Sequence, residues 1–404
     1  MFADLFLSET EGSFYFIFVT SMLLSVWVLG INSIVGPILV ALIYIIFPVA
    51  WAFGFVGALD KLCLFLYLSS AVLLLKLGTL VKIKGSFLGD FRRSHGWVKC
   101  LFIGSAVVSV FLTFYLYGIF NLHGHSKVSW TVEYRGLSYF VSSINAMLIA
   151  SGFYMALKGR WVYLVFLTGV IGVYGFVLGN KSVLLSIIFI LAIYYVRMKG
   201  VVSLRALLVS KEFFWLCVLF ASMIYFFFGF QDALPHFFSR LLATIDGLFI
   251  LKTSGMYEQY LLPDSVWFYI FDFIVSKFFG VREGVGQILA DRSIYISYPP
   301  FGGPNDSAVL YILFAEGLDK VFLIFFLGLC SFVFGVLDSY FKSVRGQGLS
   351  VLVVIVLAPI YLLFPTLYQG VGTFFILLAR DLVLALPVVL VLALVIEAAR
   401  VEKK

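Results

Sequence analysis

Long apolar runs follow one another along almost the whole chain, separated by short polar connections. They lie near residues 14–30, 32–53, 57–80, 98–120, 138–157, 161–178, 182–196, 212–230, 318–341, 349–364 and 376–397. A helix needs roughly 20 apolar residues to cross the hydrocarbon core with its backbone polar groups satisfied internally. Strands of a membrane barrel would alternate apolar with polar, and these runs do not. The pattern predicts an all-α polytopic membrane protein with about 11 transmembrane helices. Gly30, Gly36, Pro37 and Pro48 interrupt the 14–53 region, so other divisions give about 10 or about 12 spans.

Two polar connections are long enough to carry function. The first, at 121–137, contains NLHGHSKVSWTVEYRG with His123, His125, Lys127, Glu133 and Arg135. The second covers 231–318, and connections of that length inside compact folds are usually functional. Within it, DALPHFFSRLLATIDGLFILK has helical periodicity that puts His236 and Arg240 on one face. DSVWFYIFDFIVSKFFG, interrupted by Asp272 and Lys277, predicts a helix lying in the membrane interface. The stretch SYPPFGGPNDSAVLY (297–311) is stiff and polar by contrast with its surroundings. Pro299 and Pro300 fix an extended approach, Gly302 and Gly303 permit unusual backbone angles, and Asn305, Asp306 or Ser307 can cap a helix reaching about Glu316 before Gly317. This predicts an exposed helix start on the outer surface. Such an end is either an ordinary capped terminus or a place for a phosphate.

Composition agrees with the pattern: 63% of the 404 residues are hydrophobic and 12% charged, which excludes an ordinary soluble globular domain. The net charge of +7 would suit an anionic partner, but its placement decides otherwise. More than half of the 28 basic residues fall in five short clusters: Lys82 to Lys99, Lys158 and Arg160, Arg197 to Lys211, Lys342 and Arg345, and Arg400 to Lys404. The positive-inside rule makes those segments cytoplasmic, which puts both long connections and the acidic amino terminus on the outer side. Nucleic-acid binding would need a basic face on a folded module, and the sequence offers none. The opening MFADLFLSETEGS lacks a basic end, so no cleavable signal is expected and the first span should direct its own insertion. Cys63, Cys100, Cys217 and Cys330 have no paired spacing and read as small core residues.

The late outer connection, the Gly-Gly-Pro-Asn-Asp-Ser element at 302–307 and the LGNKSVLL stretch at 178–185 together resemble the Wzy-type O-antigen polymerases; the related O-antigen ligases share the general plan. The likeness covers most of the chain in architecture and is specific in those two stretches. In that family the second stretch carries a basic residue at a tight outer turn, more commonly Arg; Lys181 stands there here, offering a point charge in place of a planar fork. The resemblance implies one integral membrane domain over 1–404, GT-C-like, in the bacterial inner membrane with its active site facing the periplasm. It implies transfer of a growing glycan from one undecaprenyl diphosphate carrier to the non-reducing end of a repeat unit on another. The implied partners are undecaprenyl-diphosphate-linked oligosaccharides, the lipid bilayer and a chain-length regulator protein. No cofactor is implied.

A glycosyl diphosphate has a good leaving group, so the barrier lies in charge gathering on the phosphates, which fixed cations lower. The outer cations are Arg135, Lys181, Arg240 and Arg292, with Asn305 and Ser307 as uncharged donors; Arg282, adjacent to Glu283, reads first as a surface charge, and Arg380, with Asp381 at the entry of the last span, as a structural ion pair. Inversion needs a base for the acceptor hydroxyl. His236 is favoured, with His123, His125, Glu258, Asp246 and Asp306 as alternatives, Asp306 also serving as cap and acceptor-orienting group. No Asp-x-Asp pair, His-x-x-x-His or Cys cluster lies on the outer side, so the chemistry is expected to be metal-independent. A lipid-linked oligosaccharide flippase or other transporter is the rival outside enzymes, but it should show mid-membrane charges and an internal repeat, and none relates the two halves.

Overall fold

The computed structural model describes residues 12–29, 40–81, 95–120, 135–157, 161–177, 245–253, 265–271, 307–343 and 351–380, together with single residues at 37, 194, 218, 285, 382 and 387. Every regular element among the described residues is helical. They are α1 (Gly12–Leu29), α2 (Phe47–Phe53, continuing a π-helical stretch Ala41–Ile46), α3 (Ala58–Leu80), α4 (His95–Phe120), α5 (Arg135–Leu157), α6 (Trp161–Val177), α7 (Asp246–Thr253), α8 (Val266–Ile270), α9 (Ala308–Phe314), α10 (Gly317–Ser343), α11 (Val351–Gln369) and α12 (Val371–Arg380). Three stretches are long and apolar enough to cross a membrane: Ala58–Leu80, Val98–Tyr115 and Gly317–Phe341. Shorter apolar stretches at Phe14–Leu29, Ala41–Phe53, Ser143–Met155, Val162–Gly172 and Leu357–Tyr368 fall on five more of the expected runs. The runs at 182–196 and 212–230 lie almost wholly outside the described residues.

The chain divides into two compact units. The first comprises residues 1–81, 201–339 and 364–375. Its centre is the contact between α3 and α10. Asp60 meets Lys320 near the two amino-terminal ends, Leu74 reaches Gly328 further along, Gly78 meets Gly335, and Ser339 donates to the Val81 carbonyl at the far ends. The order of these contacts makes the two helices parallel. At the Gly78–Gly335 crossing backbone lies against backbone: a Cβ on Gly78 would run into the Phe332 carbonyl oxygen, and one on Gly335 into that of Leu75. Membrane helices associate largely by such close packing, because lipid tails offer no hydrophobic incentive to pair. Their outer faces stay apolar and exposed, through Leu62, Phe65, Leu66, Leu73 and Leu77 on α3 and Val321, Phe322, Phe325, Leu329 and Val333 on α10.

Other elements of this unit pack around that pair. α1 and the 41–53 stretch meet through Phe14 and Phe18 against Phe47, with ring centroids 5.7 and 5.9 Å apart, and through Phe14 against Trp51 at 6.0 Å. Lys76, a charge within the α3 span, donates to the carbonyl of Leu29 at 3.2 Å, the last residue of α1, where a cation meets the negative end of the helix dipole. A chain of rings from Trp267 through Phe326, Phe375, Phe374 and Phe364 to Phe334 joins α8, α10, α11 and α12, with successive centroids 5.0 to 5.8 Å apart.

The second unit comprises 82–200, 340–363 and 376–404. α4 and α5 run antiparallel, since Ser109 bonds Asn145 while Gly152 packs on Phe102. α6 closes the group with Tyr163 on Phe102, ring centroids 5.3 Å apart, and Leu167 on Gly152. Phe341 lies between Phe153 and Tyr361 at 5.2 and 5.3 Å. Hydroxyls inside these helices return to their own backbone, as Thr113 does to Ser109 and Ser151 to Met147, both at 2.7 Å, which removes the need for a partner in lipid.

The close crossing generates a test with an internal control. Gly335→Ala is expected to lower the thermal unfolding midpoint of the purified protein in detergent, because its methyl meets backbone that cannot yield. Gly104→Ala, in mid-helix with open space around it, is expected to raise stability by about 0.5–1 kcal/mol. Equal midpoints for the two variants would contradict the assigned packing.

Candidate functional site

Charged side chains of the described residues come together at the amino-terminal ends of α3 and α10. Asp60 stands in the first turn of α3, where a carboxylate complements the helix dipole. Its Oδ1 accepts from Lys320 Nζ at 2.5 Å, with the two side chains 19% and 15% exposed. Lys320 in the first turn of α10 opposes that helix's dipole, and Asp60 together with neighbouring Asp319 offsets the opposition. Asp319 has a separate duty. It accepts from Ser265 Oγ at 2.7 Å and from Trp267 Nε1 at 3.2 Å, which ties the start of α8 to the start of α10. Nearby in sequence to the α3 start, Trp51 carries Lys252 over its ring, 5.2 Å from the centroid, joining α7 to α2.

α8 buries Val266, Tyr269 and Ile270 on one face, while Ser265 before it is exposed; residues 272–280 of the expected interfacial segment lie outside the described residues. α9 departs from the sequence expectation. α9 is buried at every position from Ala308 to Phe314, and Ser307 before it is only 1% exposed. The expected exposed helix start is therefore an enclosed one. The reason is compositional: AVLYILF has no polar face to present to water. α9 also ends earlier than about Glu316. Ala315 turns extended, and Gly317 takes φ +47°, a left-handed value that suits glycine, before α10 begins.

Ser307 has the backbone angles of a cap, and its carbonyl accepts from the N–H groups of Leu310 and Tyr311 at 2.9 and 3.3 Å. Its hydroxyl makes no capping bond and finds no partner among the described residues. Arg135 is the first residue of α5. Lys181, His236, Arg240, Arg292, Asn305 and Asp306 lie outside the described residues, as do His123, His125, Glu258 and Arg282. Asp246 opens α7 and Arg380 closes α12. Among the described residues, no group of three His, Cys, Asp or Glu side chains assembles.

No family model, curated protein or solved structure matches this chain. The polar end of α3 and α10 must therefore be read on its own chemistry. Lys320 is occupied by Asp60, and Asp319 by two neutral donors, so these groups hold elements in place rather than offering charge to a ligand. The sequence pattern singles out none of Asp60, Asp319, Lys320, Ser265 and Trp267 as functional. One signal was available: an acidic residue within the first few positions of each of two apolar runs, Asp60 and Asp319, in a chain where only 12% of residues are charged.

Removing one member of the ion pair leaves its partner uncompensated. Asp60→Ala and Lys320→Ala are each expected to cost about 1.5–3 kcal/mol, and the double substitution less than their sum. Asp319→Ala should raise amide hydrogen exchange across 265–271 and leave 58–64 unchanged, measured on the full chain in detergent. Additive costs at 60 and 320, or unaltered exchange in α8, would contradict the assigned roles.

Proposed function

We propose that the chain is a metal-independent inverting glycosyltransferase of the Wzy type: an O-antigen polymerase acting at the periplasmic face of the bacterial inner membrane. It would move a growing glycan from undecaprenyl diphosphate to the non-reducing end of a second carrier-linked repeat unit. The observation that carries the reading is the parallel packing of α3 and α10. Lys82 and Lys84 follow the first helix, and Lys342 and Arg345 lie at and just beyond the end of the second, so two basic clusters belong to the same end of one helix pair. The positive-inside rule assigns that end to the cytoplasm. The opposite end holds Asp60, Lys320 and Asp319, and Asp319 binds residues of the 231–318 segment. A periplasmic position for that segment suits amphiphilic substrates whose polyprenyl tails lie in lipid and whose diphosphates lie at the outer interface.

In this reading Arg240, Arg292, Arg135 and Lys181 neutralise the diphosphate as the sugar departs, with Asn305 as a neutral donor. His236 takes the acceptor hydroxyl proton, and Asp306 orients the acceptor. Ser307 completes the donor set only if substrate reaches a hydroxyl that the protein encloses, which makes it the member expected to matter least.

The test is the lipopolysaccharide ladder of a strain lacking its own copy, complemented with Arg240→Ala, Arg292→Ala, His236→Ala, Asp306→Ala or Ser307→Ala at matched membrane levels. Loss of the ladder with a single repeat unit still on the core is the expected result for the first four, with Ser307→Ala near the parent. Loss of every repeat unit would point to a flippase or a ligase. An intact ladder for all five would sink the proposed site.

A further inference from the structure

Depth within the first unit can be read along α10. Its first turn carries Asp319 and Lys320 at the charged end, and each later residue lies about 1.5 Å further into the span. α11 and α12 return beside it in antiparallel order. Phe364 stacks on Phe334, Tyr368 Oη lies 2.7 Å from Ser331 Oγ, and the Phe375 ring is 5.8 Å from that of Phe326. Gly372 therefore comes level with Gly328 or its neighbours. That is about 14 Å inward of Asp319, close to halfway through a hydrocarbon core of about 30 Å.

Two short helices of the 231–318 segment reach that depth. α8 starts at the charged end, where Ser265 bonds Asp319. One and a half turns later the Phe271 ring lies 6.4 Å from Phe326 and 5.2 Å from Phe375, so α8 runs inward beside α10. Its last carbonyls press on Gly372: a Cβ there would stand 3.1 Å from the Tyr269 oxygen. α9 meets the same point, with Tyr311 Oη 3.4 Å from that Cβ position, and it is buried throughout, packing on α2 and α3. It ends at the surface, where Glu316 is exposed and Gly317 turns the chain directly into α10. A helix whose middle reaches a mid-span glycine and whose end lies at the start of α10 runs outward.

We propose that α8 and α9 are the descending and ascending limbs of a re-entrant element, which enters and leaves the membrane by the charged end of α3 and α10 without crossing it. Composition agrees: neither SVWFYIF (265–271) nor SAVLYILF (307–314) carries a charge. Helix ends at membrane depth are tolerated where protein encloses them, and the missing side chain of Gly372 lets the end of α8 approach α12 closely. The 231–318 segment thus supplies protein to the membrane interior as well as to its surface, whichever activity the chain has.

The test measures depth in the full chain, reconstituted in phospholipid bilayers with Cys63, Cys100, Cys217 and Cys330 replaced by alanine. Nitroxides are attached in pairs, one at Phe271→Cys, which is half-buried, and the other at Leu318→Cys or Leu329→Cys. Leu318 and Leu329 are exposed on one face of α10, about 16 Å apart along it, and serve as a ruler. The pulsed-resonance distance from 271 is expected to be several ångströms shorter to 329 than to 318. An equal or shorter distance to 318 would leave α8 lying along the surface and overturn the proposal. For α9, a membrane-impermeant maleimide applied to the same bilayers is expected to label Glu316→Cys and to spare Ser307→Cys, a near-isosteric change. Equal labelling of the two would put α9 along the surface and overturn the ascending limb.

Discussion

The backbone-to-backbone crossing of α3 and α10 constrains everything else in the first unit. Two helices that meet at Gly78 and Gly335 have no side-chain layer between them at that point, so neither can rotate or slide without collision. Their register is then fixed along the full length. That register is what allows Asp60 to find Lys320, and Ser339 to reach the Val81 carbonyl at the other end. A pair of long side chains at one end could not impose such order, because flexible charged groups tolerate sliding by a residue or more. The glycines set the alignment and the ion pair exploits it.

A second constraint governs the polar groups. In a chain this apolar, each charge or hydroxyl within a span needs a partner close by. Lys76 reaches the end of α1, and Asp319 takes one hydroxyl and one indole N–H. Ser109 splits from the general pattern: it bonds across to Asn145 at 2.6 Å and so joins α4 to α5, where Ser151 and Thr113 satisfy themselves on their own helices. Helices are joined by groups that cannot be met locally. Ser331 does both, returning to the Leu327 carbonyl of its own helix and meeting Tyr368 Oη of α11 at 2.7 Å.

Sequence made the spans legible because their signal is collective. A run such as 57–80 averages over many residues, and α3 begins and ends within a residue of it. The positive-inside argument is collective in the same way, and the parallel α3 and α10 agree with it. What stayed hidden depends on single contacts. Gly78 and Gly335 are two of 35 glycines, and nothing local distinguishes them from Gly104, which has open space around it. The polar turn before α9 suggests an exposed start, but AVLYILF has no polar face to present to water, and the helix is enclosed. Of the candidate site, Ser307 alone falls among residues whose side chains are described, and its burial could not have been foreseen from a capping pattern.

The parallel pair also limits how the rest of the chain can cross. Two parallel spans must be separated by an odd number of crossings. α1 and α3 obey this with the 41–53 stretch between them, since Leu29 and Lys76 share one end while Phe14 and Trp51 share the other. Between α3 and α10 stand α4, α5 and α6, three apolar helices that satisfy the rule if each crosses.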